Sequence, residues 1–365
     1  MRVDTQEMAP IARQHAVRRA LPTRRGRPSL VIAALVVALI IAMIVGAGVG
    51  PVGIAPTHSL GVLLNRLGLG GALPFTPVEQ RIIESLRVPR LLLAGVVGGG
   101  LAVVGTVLQG LFRNPLADSG IIGVSSGGAF GAVLAITTGM QARGLWTLPA
   151  LAFVTATTTA FTVYGLALRH GRIQLGMLLL AGIMVGAFMG ACTSAALLST
   201  RDPFLLREVV FWLLGGFTNR GWEHLAIAAA LVAPGMAVCA CFRRDLNVLL
   251  AGEEEASSLG VDVPRVRLIL LIAVALVVAA CVAVSGPIGF VGLIIPNVVR
   301  ATLGPDHRTL LPVSALGGAL FLVIADTVAR TILQPQELPV GVITAFLGAP
   351  FFLALLYARR RTLNL

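Results

Sequence analysis

Long apolar blocks alternate with short polar segments along almost the whole chain. Eight blocks are each long enough to cross the roughly 30 Å hydrocarbon core of a bilayer as a helix. Two weaker blocks are interrupted by Gly, Ser or Pro; counting them as spans gives ten, and a re-entrant block would reduce the count to eight or nine. The strong blocks are 30–49, 91–112, 148–168, 177–199, 225–241, 268–285, 310–333 and 341–357, and the weaker blocks are 121–139 and 288–303.

The composition agrees with this pattern. Hydrophobic residues make up 56% of the 365 residues, only 12% are charged, and the mean hydropathy is +0.91. A soluble domain of this size needs far more polar surface. We therefore predict an all-α polytopic membrane protein with about ten transmembrane helices, in which one transmembrane domain covers 29–358. The flanking segments 1–28 and 359–365 are predicted to be cytoplasmic tails, the first of them disordered.

The basic residues indicate the orientation of the predicted helices. All 28 are arginine, and with ten spans and both termini inside, 19 of them fall in cytoplasmic segments. Cytoplasmic loops of membrane proteins carry an excess of basic residues, so we expect both termini in the cytoplasm. The net charge of +12 then reflects membrane topology. We expect contact with membrane lipid and no nucleic-acid partner.

The chain contains no lysine. A P-loop requires a lysine that reaches the terminal phosphates of the nucleotide, so the chain carries no P-loop of its own. No paired-carboxylate, metal-ligand or nucleophile–base arrangement is evident, and we expect no catalytic, cofactor-binding or metal-binding residues; a membrane enzyme is a remote alternative. The cysteines have no zinc spacing and are predicted to be small buried hydrophobes. They are Cys192, Cys239, Cys241 and Cys281.

Four polar or glycine-rich segments interrupt the apolar background. They are 87–90 with 109–128, 247–260, 285–300 and 326–350. In their order and intervals, from about Arg87 to Tyr357, these segments resemble the FecCD-type permeases, a family that imports iron–siderophore complexes, haem and cobalamin. Asn297 departs from the pattern, since many members carry His or another polar residue after Pro296, and no chemical role is assigned to it.

The resemblance implies the type II ABC importer permease architecture, with a homodimer around a central pathway in the bacterial inner membrane. The implied partners are a second copy of the chain, two cytoplasmic ATPase subunits that hold ATP and Mg²⁺, and a periplasmic substrate-binding protein. The transported substrate is then an iron chelate, and ATP hydrolysis belongs to the separate ATPase chain.

The segment 247–263 is the predicted coupling segment. Its acids suit the N-terminus of a helix and its glycine suits the end, so the residues predict a two-turn helix at the cytoplasmic surface. The resemblance makes this the coupling helix, which lies in a groove of the ATPase; a solvated turn is the alternative. The candidate residues are Gly252, Glu253, Glu254, Glu255, Ala256, Leu259 and Gly260.

Three arginines are candidates for docking the binding protein. Arg87, Arg90 and Arg330 fall outside in the predicted topology, where rim charges steer a partner, and the resemblance matches them to docking residues. Snorkelling at the bilayer boundary is the alternative. Asp326 lies four residues before Arg330, so we predict an ion pair and a structural role for this intramembrane acid.

Small polar residues are candidates for lining the pathway of a large ligand, although Ser and Thr also pack well between helices. They are Ser125, Ser126, Thr193 and Ser194, with Gln174 placed near the inner mouth by the resemblance. Of the outside histidines, His58 and His224 are candidates to touch haem iron, and solvated loop histidines are the alternative.

The substrate is predicted to be haem, because 110–117 and 206–216 look most like the haem permeases of the family. A ferric siderophore is the second candidate and cobalamin the third. An ion-driven secondary transporter is the remote alternative; it usually needs buried carboxylate or His groups near the middle of the membrane, and Asp326 is the one good candidate.

Overall fold

The computed structural model describes residues 28–66, 68, 73–169 and 172–363. The described chain is helical apart from connecting segments and a two-residue hairpin, in which β1 (Leu168–Arg169) pairs antiparallel with β2 (Arg172–Ile173). The helices are α1 (Pro28–Gly48), α2 (Pro56–Arg66), α3 (Pro77–Ile82), α4 (Val88–Leu111), α5 (Val124–Thr137), α6 (Thr147–Ala167), α7 (Leu175–Ser199), α8 (Pro203–Leu213), α9 (Trp222–Cys241), α10 (Arg243–Leu249), α11 (Glu253–Ser258), α12 (Val263–Ser285), α13 (Val291–Leu303), α14 (His307–Ala329) and α15 (Val340–Leu363).

Each of the ten predicted spans corresponds to a helix. In the described part of the chain, eight helices are long and apolar enough to cross a membrane. The two weaker blocks form the shorter apolar helices α5 and α13. Residues in left-handed backbone conformations, Gly123 and Phe290, lie immediately before these two helices and shorten them. The expectation of an all-α membrane protein is confirmed.

Helix α4 is the centre of the bundle. It packs against α9, α12, α13 and α14. In its most apolar stretch, 89% of the residues are buried. Glycines permit this close approach: a Cβ at Gly98 would collide with the carbonyl of Gly318 on α14, and one at Gly105 would collide with Gly292 on α13. Such small-residue contacts replace the hydrophobic effect as the source of helix association in lipid.

Of the eight long apolar helices in the described chain, α1, α7 and α15 bury the smallest share of their residues. In the most apolar stretches of α1, α7 and α15, only 11%, 17% and 17% of the residues are buried. Their exposed side chains are large and apolar, as Phe188 and Phe346 illustrate. Such surfaces suit contact with lipid or with another apolar protein surface.

The polar connections gather at two opposite ends, as alternation of the spans requires. At one end Trp222 donates to the carbonyl of Glu84 (2.9 Å) and Gln141 donates to Glu208 (3.0 Å). At the other end Asn247 donates to Asp306 (2.6 Å). We call the first the outer end and the second the inner end, after the predicted orientation. The predicted tail 1–28 lies, apart from Pro28, outside the described residues, and α15 continues to Leu363.

Candidate functional site

The three predicted docking arginines do come together at the outer end, but they are buried. Arg87, Arg90 and Arg330 are only 6%, 9% and 2% exposed. The expectation that they are exposed rim charges is therefore wrong. A buried guanidinium requires compensation by carboxylates or carbonyl oxygens, and each of the three finds it within the chain.

Arg90 lies between two carboxylates. Its Nη2 is 2.9 Å from Oδ1 of Asp326, and its Nη1 is 2.7 Å from Oε2 of Glu337. The Asp326 side chain is fully buried, whereas the Glu337 side chain is 23% exposed. These partners are more than 230 residues away along the chain, so no local pattern in the sequence indicates them.

The predicted pair between Asp326 and Arg330 is confirmed, with Nε of Arg330 3.1 Å from Oδ2 of Asp326. Arg330 also donates to the carbonyl of Gly46 at 3.2 Å, at the end of α1. Asp326 therefore holds two arginines and joins α1, α4 and α14. This is a structural arrangement, and it leaves Asp326 without the free carboxylate that ion-coupled transport would require.

Arg87 differs from the other two because its hydrogen-bond partners are backbone oxygens. It donates to the carbonyls of Ala47 (2.7 Å) and Val52. The three arginines and the carboxylates of Asp326 and Glu337 together leave one positive charge uncompensated.

A cavity of about 520 Å³ lies above this cluster and is lined by all three arginines and Glu337. The rest of its wall is formed by Pro51 and Val52, by the end of α3 with the π-helical turn before α4, and by the 217–221 segment, which includes Arg220. We call it the arginine cavity. Its net positive charge makes it suitable for an incoming carboxylate.

The predicted short helix at the inner end is confirmed as α11. Its first turn carries Glu253, Glu254 and Glu255, and Gly260 follows with a left-handed φ of 83°. Ala256 is fully buried, whereas the side chain of Leu259 is 72% exposed. The helix thus attaches by one face and presents a leucine to its surroundings.

Two arginines outside the predicted site hold α11 in place. Arg267 at the start of α12 bonds to Glu253 and also donates to the carbonyl of Ile173 at 3.2 Å. Arg113 lies 3.9 Å from the same glutamate. The Glu253 carboxylate therefore connects α11 to α12 and to the segment after α4, and Arg267 extends the connection to β2; the sequence alone did not reveal these contacts.

Asn297 has a structural partner that sequence reasoning missed. Its amide donates to the carbonyls of Pro115 (2.9 Å) and Leu293 (2.8 Å). Nearby, Arg300 donates to Gln109 (2.9 Å), whose own amide donates to Gly292 (2.9 Å). These bonds attach α13 to α4 and to the 112–118 connection at the inner end.

The predicted pathway residues lie on α5 and α7, with Gln174 directly before α7. Ser125 and Ser126 are half-buried and Gln174 is exposed. The hydroxyls of Thr193 and Ser194 donate to backbone carbonyls of their own helix, at 2.8 and 3.0 Å. Thr193 is buried and Ser194 is exposed. Their role in a pathway stays a prediction.

Both outside histidines have partners within the chain. Nδ1 of His58 lies 2.9 Å from Glu79, and Nε2 of His224 lies 3.2 Å from Nη1 of Arg220. In the described part of the chain, no group of three His, Cys, Asp or Glu residues could hold a metal ion.

Comparison with known proteins decides the family. The model of the FecCD transport family matches residues 36–358. The chain belongs to the FecCD transport family. It is therefore a multi-pass membrane protein and a permease subunit of an ABC importer.

The relatives are named for different substrates. The chain is 48% identical to the cobalamin import system permease of Halobacterium salinarum, covering 77% of this chain and 74% of that protein. It is 43% identical to the hemin transport system permease of Yersinia pestis, covering 76% and 83%. A molybdate import permease of Haemophilus influenzae is 39% identical, with coverage of 80% and 85%.

The fold agrees with a solved member of the same class. An inward-facing putative metal-chelate type ABC transporter is 33% identical, with a TM-score of 0.80 and coverage of 90% of this chain and 99% of that chain. The architecture of this FecCD permease is therefore that of a type II ABC importer permease.

Proposed function

We propose that this FecCD permease imports a large metal chelate through the inner membrane, from the outer to the inner end, as part of a complete ABC importer. The complex contains a second copy of the chain, two ATPase subunits at the inner end and a substrate-binding protein at the outer end. The family match over 36–358 carries this proposal. Both termini face the cytoplasm, as the arginine distribution favours.

The energy comes from the ATPase subunits. The chain has no lysine for a P-loop, so ATP and Mg²⁺ bind to the partner. The exposed Leu259 on a helix anchored by Ala256 and Glu253 supports contact between α11 and that partner. A short helix bonded to α12 and to the segment after α4 can transmit a movement of the ATPase to the membrane domain.

The binding protein docks over the arginine cavity. The uncompensated charge supports a carboxylate of the binding protein as the group that enters it. Arg87 is the best receptor because its present partners are carbonyl oxygens, whereas Arg90 is already held between Asp326 and Glu337. Of the three predicted docking residues, Arg87 then contributes binding, and Arg90 and Arg330 maintain the site.

The cargo is predicted to be haem. Cobalamin is the second candidate, favoured by the 48% identity to a cobalamin import permease, and a ferric siderophore is the third. Ser125, Ser126, Gln174, Thr193 and Ser194 are proposed to line the pathway.

The test is uptake by the complete importer in proteoliposomes. The permease, its ATPase and its binding protein are reconstituted, and uptake of haemin, cyanocobalamin and a ferric hydroxamate is measured with and without internal ATP. We expect ATP-dependent uptake of one chelate, with haemin the predicted one. Uptake that follows an ion gradient instead of ATP, or no uptake of any chelate, would contradict the proposed function.

A further inference from the structure

A second cavity of about 550 Å³ lies at the outer end beside the arginine cavity, and both are lined by residues 218–220. Its wall consists of the 3₁₀ turn Met140–Arg143, the start of α6, α8 and the connection between α8 and α9. Leu145, Leu148 and Phe211 supply apolar surface, and Trp212, Arg220 and His224 supply polar atoms. We call it the tryptophan cavity.

Two hydrogen-bond donors in this cavity have no acceptor within the described chain. Trp212 is only 8% exposed, and its buried indole Nε1 has no hydrogen-bond partner. Nε of Arg220 is also buried and without an acceptor. Buried donors are almost always paired in folded proteins, so two such exceptions among the residues that line one cavity indicate a missing acceptor.

The charge of Arg220 is also only partly compensated. The described residues place no carboxylate oxygen within 4.0 Å of its guanidinium, and burial lowers its pKa. Glu208 is the opposing charge that acts on Arg220; it lines the same cavity, is exposed and accepts a hydrogen bond from Gln141 at 3.0 Å. Water screens a charge in that position, so the deeper donors remain free for another anion.

We infer that the tryptophan cavity binds a carboxylate of the cargo, with Arg220 and the indole N–H of Trp212 as donors. A planar guanidinium matches the two oxygens of a carboxylate. The volume of about 550 Å³ is typical of sites for small molecules, and the wall combines apolar surface from Leu145, Leu148 and Phe211 with polar groups. This inference rests on the proposed function for the identity of the ligand as cargo.

The inference restricts the class of cargo, because the candidate chelates differ in whether they carry free carboxylates. Haem carries two propionate carboxylates on a flat apolar ring, which fits both the donors and the wall. The peripheral side chains of cobalamin are amides, with one phosphodiester. A chelate bearing free carboxylates is therefore the class that this cavity selects.

The test compares haemin with haemin dimethyl ester, which has the same ring without carboxylates. The permease with its ATPase is placed in nanodiscs without the binding protein, and quenching of tryptophan fluorescence reports binding, with empty nanodiscs as the correction for partition into lipid. We expect haemin to bind at least about tenfold more tightly than the ester. Arg220→Gln and Trp212→Phe should each lower the affinity for haemin and leave the affinity for the ester unchanged.

Trp222→Phe is the matched control, because Trp222 is exposed and contacts Arg66 and Glu84, which lie outside the cavity lining. It should leave both affinities as in the wild type, and each variant should retain assembly with the ATPase. Equal binding of haemin and ester, equal losses for both ligands in Arg220→Gln, or binding of cyanocobalamin that depends on Arg220 would overturn the inference.

The source of the carboxylate is separated by one further measurement. If the binding protein supplied the carboxylate, Arg220→Gln would lower the affinity of the permease for the binding protein and leave the affinity for haemin unchanged. The inference would then be wrong. Because the nanodisc assay needs no transport, it can fail while ATP-dependent uptake persists, and uptake can fail while this binding persists.

Discussion

Arg90, Asp326 and Glu337 show how the meaning of a charged residue depends on its neighbours. From its position beside a predicted span, Arg90 was expected to contact the binding protein. The structure places it 9% exposed, in contact with two carboxylates. In this setting the arginine neutralises acids that would otherwise be buried without compensation.

The first prediction concerns Arg90→Glu. The substitution places a third carboxylate beside Asp326 and Glu337, and breaking a buried pair costs about 3–5 kcal/mol. We expect a clear fall in the Tm of the purified permease and in the yield of monodisperse protein. Arg143→Glu, an exposed position at the same end, should behave like the wild type. An unchanged Tm for Arg90→Glu would show that the ion cluster does not stabilise the fold.

The second prediction concerns Arg87→Gln, which removes one positive charge from the arginine cavity. We expect the affinity for the binding protein to fall about tenfold or more, that is by about 1.4 kcal/mol or more. The loss should be largest at low salt, because screening weakens the attraction in the wild type. Affinity measured at low and high salt tests this, with Arg143→Gln as the control. Equal affinities for wild type and Arg87→Gln at low salt would exclude this docking role.

At the scale of elements, α11 is defined by how it is attached. Six residues cannot hold a helix in isolation. Ala256 packs into the core and Glu253 bonds to Arg267, so α12 and the 172–174 segment support it. The exposed Leu259 is then held at a fixed position, as a contact with a partner requires.

The third prediction concerns Leu259→Asp. If this side chain is buried against the ATPase, the new carboxylate loses water without gaining a partner, at a cost of about 3–5 kcal/mol. We expect the yield of the permease–ATPase complex to fall strongly, whereas insertion and dimerisation persist. Co-purification measures this. Leu86→Asp, an exposed leucine at the outer end, is the control; if both variants assemble like the wild type, α11 is not the coupling helix.

At the scale of the whole molecule, alternation of the spans sorts every polar connection to one of two ends. The hydrogen bonds from Trp222 to Glu84 and from Asn247 to Asp306 mark these ends. Which end faces the cytoplasm follows from the arginines and not from the fold, because a bundle of helices packs equally well in either orientation.

The fourth prediction concerns this orientation. A cysteine placed at Thr57 should react with an impermeant thiol reagent added from the periplasm, and one placed at Ser257 should not; both positions are exposed. The parent should carry Cys241→Ser, since Cys241 is an exposed cysteine. Labelling at Ser257 with protection at Thr57 would reverse the orientation.

The fifth prediction concerns energy. Because the chain has no lysine for a P-loop, the purified permease should hydrolyse no ATP, and hydrolysis should appear when the ATPase subunits are added. Phosphate release before and after that addition measures this. Hydrolysis by the permease alone, free of contaminating ATPase, would contradict the division of labour between the chains.

The sequence by itself determined the ten apolar helices, eight of which are long enough to cross a membrane, and the short acidic helix. It also determined the Asp326–Arg330 pair, because four residues make one helical turn. These features depend on local hydrophobicity, charge and helix periodicity, which can be read within some twenty residues.

Only the tertiary structure decided which groups meet across the bundle. Arg90 donates to the carboxylate of Glu337, and Asn297 donates to the carbonyl of Pro115. Trp212 and Arg220, whose buried donors have no acceptor in the described chain, line one cavity. The physical reason is that these contacts depend on how helices distant in the chain cross and how closely they approach. At α4 that approach is set by paired glycines such as Gly98 and Gly318, and burial of the arginines follows from the resulting packing.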